Sequence, residues 1–442
     1  MDETYRLFCP ECGAEQKPDA ARCAACGGLL AIELTRLVAA GERHPFADVP
    51  GLGAMWRSNP VLPIADPRSI VSLGEGGTPC IPAARLGADT GVAVWWKNEA
   101  ANPTGSFKDR QVSVGISHAL ETRSESETGA TLPEVATGPT IPCDQGTARP
   151  AARIQFYAVS SGNVAAAAAA YSARAGARCW VIAPATAPVG KLLQVQLCGA
   201  RVIRIRGSSQ ELLFCLAEEA AREYGWYPLS TAARSSPFNI VGARTIAGEI
   251  VEQMPVPDWV IAPVGGGGLL GSLWQGFKEA ARLRPDMRPP RLVGVQPTGC
   301  PPFVHAVERG LSARDALSTP WTDVRTIAGG LADDIPFDAH VALPAVRESR
   351  GTAVAVTDDE IRDAQRLLAQ QEGLFIEPSG AVTVAGLCRL LGDGRITARQ
   401  TVCCVLTGSG LKDPASVGGL PEPPTIAADS QTLREAVASL QD

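Results

Sequence analysis

The most informative stretch of this sequence reads Asn102-Pro103-Thr104-Gly105-Ser106-Phe107-Lys108-Asp109-Arg110. It follows an apolar segment, Val92–Trp96, that predicts a buried strand, and it precedes residues 112–120, which have the pattern of an opening helix. Burying a lysine charge in such a packed turn is unfavourable unless the charge is paired or neutralised. Lys108 is therefore a candidate for a lowered pKa, and a neutral lysine amine can form a Schiff base with an aldehyde. The alternative is a surface lysine at a helix start.

Two further turns between a strand and a helix have compositions suited to binding anions. Ser160-Ser161-Gly162-Asn163 ends the apolar strand 154–159, and Gly265-Gly266-Gly267-Gly268-Leu269-Leu270-Gly271 ends the buried strand 258–264. Backbone N–H groups at the start of each following helix can bind an oxyanion, and four glycines let the backbone wrap around it. A flexible hinge is the alternative for the glycine run. The repeated strand and helix pattern predicts a parallel sheet with crossover helices.

The N-terminal segment contains a pattern typical of a metal site. Cys9 and Cys12 form one CxxC pair, and Cys23 and Cys26 form a second. Each pair can form a tight knuckle, and four thiolates can then surround one zinc ion tetrahedrally. A closed four-cysteine site is structural rather than catalytic, so the pattern predicts a zinc ribbon over residues 5–30. A helix is predicted immediately after it, over Ile32–Glu42.

Composition limits the classes of partner. The chain has 442 residues, of which 45% are hydrophobic and 19% charged, with a net charge of -6. This balance predicts a globular protein of two to three domains and argues against nucleic acid as a partner. There is no apolar run of membrane-spanning length, and the acidic start, Met1-Asp2-Glu3-Thr4, lacks the basic residues of a signal peptide. We expect a cytoplasmic protein with no membrane partner, in which the 13 cysteines do not form a disulfide framework.

The lysine stretch resembles the cofactor-lysine motif of threonine synthases. These enzymes belong to the pyridoxal-phosphate (PLP) family that also contains tryptophan synthase β and the serine/threonine dehydratases. Leu73-Gly74-Glu75-Gly76-Gly77-Thr78-Pro79 and Thr407-Gly408-Ser409-Gly410-Leu411-Lys412-Asp413-Pro414 are similar to two more threonine synthase motifs, with Ser409 in place of a histidine. The similarity runs from about residue 73 to about residue 414, and threonine synthases often carry a comparable zinc ribbon.

The resemblance implies an α/β protein with the tryptophan synthase β-like fold, in which two open twisted sheets carry helices. An N-terminal zinc ribbon would precede this fold. Small-molecule amino acids are the expected substrates, and a homodimer is the expected assembly. The expected divisions of the chain are a ribbon over 1–35, a large cofactor domain over 36–110 and 236–425, a small α/β domain over 111–235 with a loop insertion at 121–153, and a tail over 426–442.

The resemblance also implies a role for each site residue. Lys108 would hold PLP covalently and, once displaced by substrate, would transfer protons as a general base. Asn163 would bond the phenolic oxygen of the cofactor and Thr407 its pyridine nitrogen, where a neutral hydroxyl suits elimination or replacement more than transamination. Backbone positions would bind the two anions, the cofactor phosphate on Gly265, Gly266, Gly267, Gly268 and Leu269, and the substrate carboxylate on Ser160, Ser161 and Gly162.

The leading expectation for the reaction is conversion of O-phosphohomoserine and water to threonine and phosphate. The glycine run and residues 326–331 look more like serine/threonine dehydratases, which makes elimination from a non-phosphorylated amino acid the alternative. Threonine synthases commonly place hydroxyl side chains and an arginine where this chain has Val164, Ala165, Ala166 and Asn239. Arg244 and Lys412 are the candidate replacement cations. A non-catalytic family member is the remaining alternative, and an intact Lys108 argues against it.

Overall fold

The computed structural model describes residues 4–17, 20, 22–38, 42–57, 62–126, 154–187, 189–207, 210–418, 420 and 422–440. Strands in these ranges form three sheets. In chain order the strands are β1 (Tyr5–Phe8), β2 (Glu15–Gln16), β3 (Ala31–Leu34), β4 (Cys80–Pro82), β5 (Ala93–Asn98), β6 (Gln155–Val159), β7 (Arg178–Pro184), β8 (Arg201–Ile205), β9 (Tyr227–Pro228), β10 (Trp259–Pro263), β11 (Arg291–Pro297), β12 (Thr352–Val356) and β13 (Thr401–Leu406).

Helices alternate with these strands through most of the described chain. No helix in the described ranges is long and apolar enough to cross a membrane. In chain order the helices are α1 (Leu86–Thr90), α2 (Lys108–Ser126), α3 (Asn163–Arg174), α4 (Val189–Leu197), α5 (Gln210–Tyr224), α6 (Phe238–Val241), α7 (Thr245–Gln253), α8 (Gly268–Leu283), α9 (Pro302–Glu308), α10 (Ala313–Leu317), α11 (Ala339–Glu348), α12 (Asp358–Glu372), α13 (Pro378–Gly392) and α14 (Ser430–Ser439).

Two of the sheets have the parallel pairing expected of crossover connections. The larger has the order β12-β11-β10-β13-β5-β4, in which only β4 pairs in the antiparallel direction, and the smaller has the order β8-β7-β6-β9. Parallel strands end at the same edge of a sheet, so the loops after β5, β10 and β13 lie side by side. The α/β class and the two open sheets predicted from the sequence are confirmed, whereas the domain limits stay a prediction.

The central strands of the larger sheet are apolar because both of their faces are covered. In β10, Val260 and Ala262 pack into one buried cluster, while Trp259 and Ile261 point to the opposite face and join a second cluster. Such strands have nearly continuous apolar sequences, as expected for a parallel sheet between two layers of helices. This packing holds the strand ends, and therefore the loops that follow them, in fixed positions.

The helix predicted over Ile32–Glu42 is wrong. Residues 31–34 form β3 instead, in which Ile32 lies opposite Leu7 of β1 in an antiparallel pair. Three of the four residues of β3 are buried, and Ile32 packs in the same cluster as Trp56. Pairing with β1 therefore outweighs the local helical pattern, as tertiary contacts commonly outweigh propensity.

The loop insertion predicted over 121–153 is wrong at its start, because α2 continues through residues 121–126. The carboxylate of Glu121 accepts hydrogen bonds from the backbone N–H groups of Ala65 and Asp66, at 2.8 and 2.7 Å. This contact anchors the end of the helix to a distant part of the chain, which its polar composition does not indicate. The rest of the predicted insertion, residues 127–153, lies outside the described residues.

A buried ion cluster connects the start of α2 to the larger sheet. The guanidinium of Arg110 contacts Glu99 Oε2 at 2.7 Å and Glu249 Oε1 at 2.6 Å, and Lys97 Nζ lies 2.6 Å from Glu249 Oε2. Burial alone would raise the pKa of Glu249, but Arg110 and Lys97 outweigh that effect and lower it. The cluster therefore remains charged, and it joins α2, α7 and the end of β5.

Replacing Arg110 by methionine should destabilise the fold strongly, because Glu99 would lose its cation and Glu249 would keep only Lys97. Breaking a buried ion pair in this way costs about 3–5 kcal/mol of unfolding free energy. Urea unfolding followed by circular dichroism would measure the loss. Arg366→Met is the matched control, since Arg366 forms an exposed pair with Asp363 and should change stability little. Equal losses in the two variants would contradict this account of the cluster.

Candidate active site

The loop before α2 is held in a single conformation by hydrogen bonds within it. Gly105 has a φ of +84°, which favours glycine, and its N–H donates to Asn102 O at 2.8 Å. The backbone N–H of Thr104 donates to Asp109 Oδ2 at 2.7 Å, and its hydroxyl donates to Asp109 Oδ1 at 2.5 Å. Burial raises the pKa of Asp109 to about 7. This loop fixes the direction in which the next side chain, Lys108, leaves the helix.

The same loop pairs with the segment that follows β13. Phe107 N–H donates to Thr407 O at 3.1 Å, and Ser409 N–H donates to Gly105 O at 2.9 Å. A bridge between Ser106 and Gly408 lies between these two bonds. Two motifs about 300 residues apart in the sequence are thus in contact, because β5 and β13 are neighbouring parallel strands.

Lys108 is the first residue of α2, and its side chain is half-buried. Its Nζ donates to Gln111 Oε1 at 2.9 Å and to Thr231 Oγ1 at 2.7 Å, and it lies 4.4 Å from the centre of the Phe107 ring. Burial lowers the pKa of Lys108 from 10.5 to about 8, although Asp333, Asp338 and Glu377 oppose the shift. The predicted lowering of this pKa is therefore present, and near neutral pH part of the amine is uncharged.

The Gly265–Gly268 loop is so closely packed that larger residues would not fit. A Cβ atom at Gly267 would lie 2.7 Å from the Cβ of Ala342, and Gly267 also has a φ of +104°. At Gly268 a Cβ would lie 2.6 Å from Asp338 Oδ2. The loop leads directly into α8, so its backbone N–H groups lie at the helix start, where an anion binds most readily.

The Ser160–Asn163 turn also lies at the carboxyl end of a strand, β6, and at the start of α3. Its conformation is held by Gly162 N–H, which donates to Ser160 Oγ at 3.1 Å. The side-chain amide of Asn163 donates to Glu377 Oε1 at 2.6 Å, and burial raises the pKa of Glu377. Glu377 immediately precedes α13 in the other sheet's helical layer, so this hydrogen bond connects the two halves of the site.

Thr407 occupies the remaining predicted position, directly after β13. It is buried, and its hydroxyl donates a long hydrogen bond, 3.5 Å, to Ser379 O. A donor held this weakly can turn to a stronger acceptor such as a ring nitrogen. The predicted site residues line one cavity of about 1230 Å³, namely Lys108, Ser160, Ser161, Gly162, Asn163, Gly265, Gly266, Gly267, Gly268, Leu269 and Thr407.

These residues fit the cofactor that the sequence motifs imply. The glycine loop provides a cradle for a phosphate that a Cβ atom would fill, and Lys108 provides an amine of lowered pKa. Asn163 and Thr407 provide polar groups for the ring oxygen and the ring nitrogen. The cavity has room for a cofactor together with an amino-acid substrate, since pockets for single small ligands are about 300–1,000 Å³.

Comparison with known proteins agrees with this fit. Residues 71–408 match the family model described as pyridoxal-phosphate dependent enzyme. The chain belongs to this family. It is similar to the threonine synthase of Methanocaldococcus jannaschii, with 37% identity over 391 residues covering 87% of each chain. Its similarity to the threonine synthase of Methanosarcina acetivorans is 35% over 442 residues and covers 98% of each chain.

Solved structures of the same family share the fold. A bacterial threonine deaminase structure, from T.th., matches with a TM-score of 0.57 and 26% identity, over 75% of this chain and 92% of that one. A serine racemase from Dictyostelium discoideum matches with a TM-score of 0.56 at 23% identity, over 75% of this chain and 92% of that one, which supports the fold alone. The predicted PLP-dependent fold is therefore confirmed, and the chain is a PLP-dependent enzyme of the lyase type.

The chemistry at this site is divided between the cofactor and the chain. When bound, PLP supplies an electron-withdrawing ring that stabilises negative charge at the substrate carbon next to the amino group. The chain's own groups bind, orient and transfer protons. Lys108 Nζ can accept and return a proton, and the turn at Ser160–Gly162 offers N–H groups to a carboxylate.

Several cavity residues were not predicted from the sequence. Glu377 and Ser379 belong to the stretch Glu377-Pro378-Ser379-Gly380, and a glutamate before a proline at a helix start could have indicated them. Asp338 lies against Gly268 but comes from a segment without a sequence motif. The other unpredicted polar residues of the site are Gln111, Lys191, Thr231 and Asp333, of which the last three line the cavity.

Arg244, proposed from the sequence as a cation for the substrate, is not in the cavity, so that expectation is wrong. Its guanidinium is buried against Glu279 Oε1 at 2.8 Å and the carbonyl of Ile32. Asn239 also points elsewhere, because its amide donates to the carbonyls of Pro228 and Ser230, at 3.0 Å each. Lys412 does line the cavity.

A second candidate site lies in the N-terminal sheet. The sulfur atoms of Cys9, Cys12, Cys23 and Cys26 lie within 4.8 Å of one another. Gly13 and Gly27 both have a φ of +73°, and each donates its N–H at 2.8 Å to the carbonyl of the first cysteine of its pair. The two predicted knuckles are therefore formed, and the four thiols can hold one metal ion.

Lys108 should be the residue that carries PLP. Borohydride reduction of the loaded protein, followed by peptide mapping, should locate the cofactor on Lys108, and Lys108→Ala should lose the attachment. Because the neutral amine is the nucleophile, the attachment rate should rise with pH through about 8 rather than near 10.5. The rate can be followed by cofactor absorbance after mixing with the apo-protein. Cofactor on another lysine, or a rate that rises only above about pH 10, the range of an unperturbed lysine, would contradict the assignment.

Proposed function

We propose that this lyase converts O-phosphohomoserine and water to threonine and phosphate. The observation that carries the proposal is the full-length similarity to threonine synthases, which for one relative covers 98% of both chains and so includes the N-terminal ribbon. The cavity supports it with an amine at Lys108, a carboxylate-binding turn at Ser160–Gly162 and a glycine loop for the cofactor phosphate.

In this proposal each group of the chain has one task. Backbone and hydroxyl donors of the Ser160–Gly162 turn bind the substrate carboxylate, and Asn163 orients the cofactor ring from the same turn. Lys108 Nζ takes a proton from the substrate and returns it when water has replaced phosphate on the side chain. Thr407 remains neutral at the ring nitrogen, so the ring is not forced towards transamination.

A substrate phosphate also needs cations, and two lysines are available. Lys191 of α4 lines the cavity and contacts Asp413 Oδ2 at 2.6 Å. Lys412 lines it too, and its Nζ donates to Thr104 O at 2.7 Å, while burial lowers its pKa. Neither ammonium group is fully buried, so each can exchange its partner for a phosphate oxygen. They would take the place of Arg244, which is held outside the cavity.

Lys191→Gln and Lys412→Gln should each weaken binding of O-phosphohomoserine. A charge-assisted hydrogen bond contributes about 1.5–3 kcal/mol, so KM should rise about tenfold or more in each variant. Steady-state phosphate release would measure it, and the cofactor absorbance should remain that of the wild type. Lys278→Gln is the control, because Lys278 forms an exposed pair with Glu348 and does not line the cavity. An unchanged KM in both cavity variants would rule out these lysines as the phosphate-binding cations.

A second candidate function is an ammonia-lyase acting on serine or threonine. It is favoured by the start of α3, where Val164, Ala165 and Ala166 offer no hydroxyl, and by two carboxylates beside the glycine loop. Asp338 is one of them, and burial raises its pKa to about 7. The other, Asp333, lies 2.6 Å from the position of a Cβ at Gly265. In their ionised forms both would repel a second phosphate dianion.

One assay separates the two functions. Incubation of the purified enzyme with O-phosphohomoserine should give threonine and phosphate in equal amounts. Incubation with threonine or serine should give little oxoacid or ammonia. The reverse pattern, with O-phosphohomoserine inert, would reject the synthase and support the ammonia-lyase.

We further propose that the four N-terminal cysteines hold a structural zinc ion. Four thiolates in a closed tetrahedral site are the preferred ligands of structural zinc. The ribbon packs through Leu7 and Ile32 against Trp56, so its loss would expose apolar surface of the main body. None of the four cysteines lines the cavity, so the zinc would take no part in the chemistry there.

Elemental analysis of protein purified without chelator should find one zinc ion per chain. Cys12→Ala should lower the zinc content and the thermal midpoint more than it lowers turnover at low temperature, because the ion holds structure rather than substrate. Cys388→Ala is the matched control, since Cys388 is an exposed cysteine outside the ribbon and should keep full zinc content. Protein that lacks zinc yet has wild-type stability would reject this site.

A further inference from the structure

The amine of Lys108 has two hydrogen-bond acceptors that no sequence motif indicated. Gln111 Oε1 accepts from Nζ at 2.9 Å, and Thr231 Oγ1 accepts at 2.7 Å. Gln111 lies on α2 about one turn after the lysine, whereas Thr231 lies in the loop after β9 of the smaller sheet. The two acceptors therefore approach the amine from both halves of the site.

The burial of Gln111 is hard to explain by packing alone. Its side chain is fully buried, and its Nε2 has no hydrogen-bond partner among the described residues. A buried amide left unsatisfied destabilises a fold, and an apolar side chain of similar shape avoids that penalty. In the described chain the only polar side-chain contact of Gln111 is the bond to Lys108. The residue is therefore suited to serving the lysine rather than the core.

We propose that Gln111 and Thr231 are positioning residues that hold the Lys108 amine whenever it is not attached to the cofactor. Both are uncharged acceptors, so they favour the ammonium form, which has three N–H donors, over the neutral amine. Together they keep Nζ and the proton that it has accepted at one defined position. The proposal rests on Lys108 as the cofactor lysine and does not depend on which amino acid is the substrate.

Other charged groups near the amine cannot replace this pair. Asp333, Asp338 and Glu377 favour the ammonium electrostatically, but no hydrogen bond joins any of them to Nζ in the described chain. Their effect is present in every variant of Gln111 or Thr231. A change at either acceptor therefore alters the proton affinity of Lys108 against a constant background.

The sign of the effect can be tested in both directions. Gln111→Met and Thr231→Val each remove one acceptor of the ammonium, so the pKa of Lys108 should fall. Gln111→Glu puts a carboxylate at the same position, so the pKa should rise. The readout is the pH dependence of the rate at which PLP attaches to the apo-protein, followed by cofactor absorbance without substrate. We expect the midpoint to move by about one pH unit, down in the first two variants and up in the third.

At a fixed pH below the midpoint, a shift of one unit changes the attachment rate about tenfold, because the neutral fraction changes by that factor. Gln365→Met is the matched control. Gln365 is buried on α12 and donates to Ile376 O at 2.9 Å, so this variant should lose stability without moving the midpoint.

Opposite shifts in Gln111→Met and Gln111→Glu support the proposal, since a purely structural residue would not produce them. Coincident midpoints in all variants would overturn it, as would a shift in Gln365→Met of the same size. If Gln111→Met does not fold, Thr231→Val and Gln111→Glu still give the two opposite signs. Because only PLP is used, failure of the proposed threonine synthesis would leave this result unaffected.

Discussion

The buried pairing of Arg110 with Glu99 and Glu249 is the interaction on which the site depends. It fixes the first turn of α2 against β5 and α7, and Lys108 lies in that same turn. The loop before it is attached to the end of β13 by backbone hydrogen bonds. Lys108 can therefore present its amine to the cavity only in a narrow range of directions, which is what covalent attachment of a cofactor requires.

Burial has opposite consequences for the acids and the bases of this site. It lowers the pKa of Lys108 and Lys412, and it raises the pKa of Asp109, Asp338 and Glu377. Desolvation disfavours every charged form, so a base becomes available as a nucleophile near neutral pH and an acid can retain its proton. The ion cluster around Arg110 stays charged because each carboxylate there has a guanidinium partner.

The substrate question is also one of charge. The cofactor phosphate has its own cradle in the glycine loop, but a second phosphate would have to use Lys191 and Lys412, which already contact Asp413 and Thr104. Similarity along the whole chain favours O-phosphohomoserine, whereas the apolar start of α3 and the carboxylates of Asp333 and Asp338 favour a substrate without phosphate. Lys108 and its acceptors serve either reaction, because both begin at the same carbon.

Local sequence determined the lysine loop, the two anion-binding turns, the cysteine knuckles and most helices and strands, because glycines, hydrophobic periodicity and motif spacing act within a few residues. It could not indicate that residues 31–34 pair as a strand, that Arg244 is held by Glu279, or that Gln111 and Thr231 converge on Lys108. Those outcomes join residues far apart in the chain, and only packing of the sheets brings them together. The reason is physical: a backbone turn is specified by its own residues, whereas the partner of a buried side chain depends on which distant segment shares its low-dielectric environment.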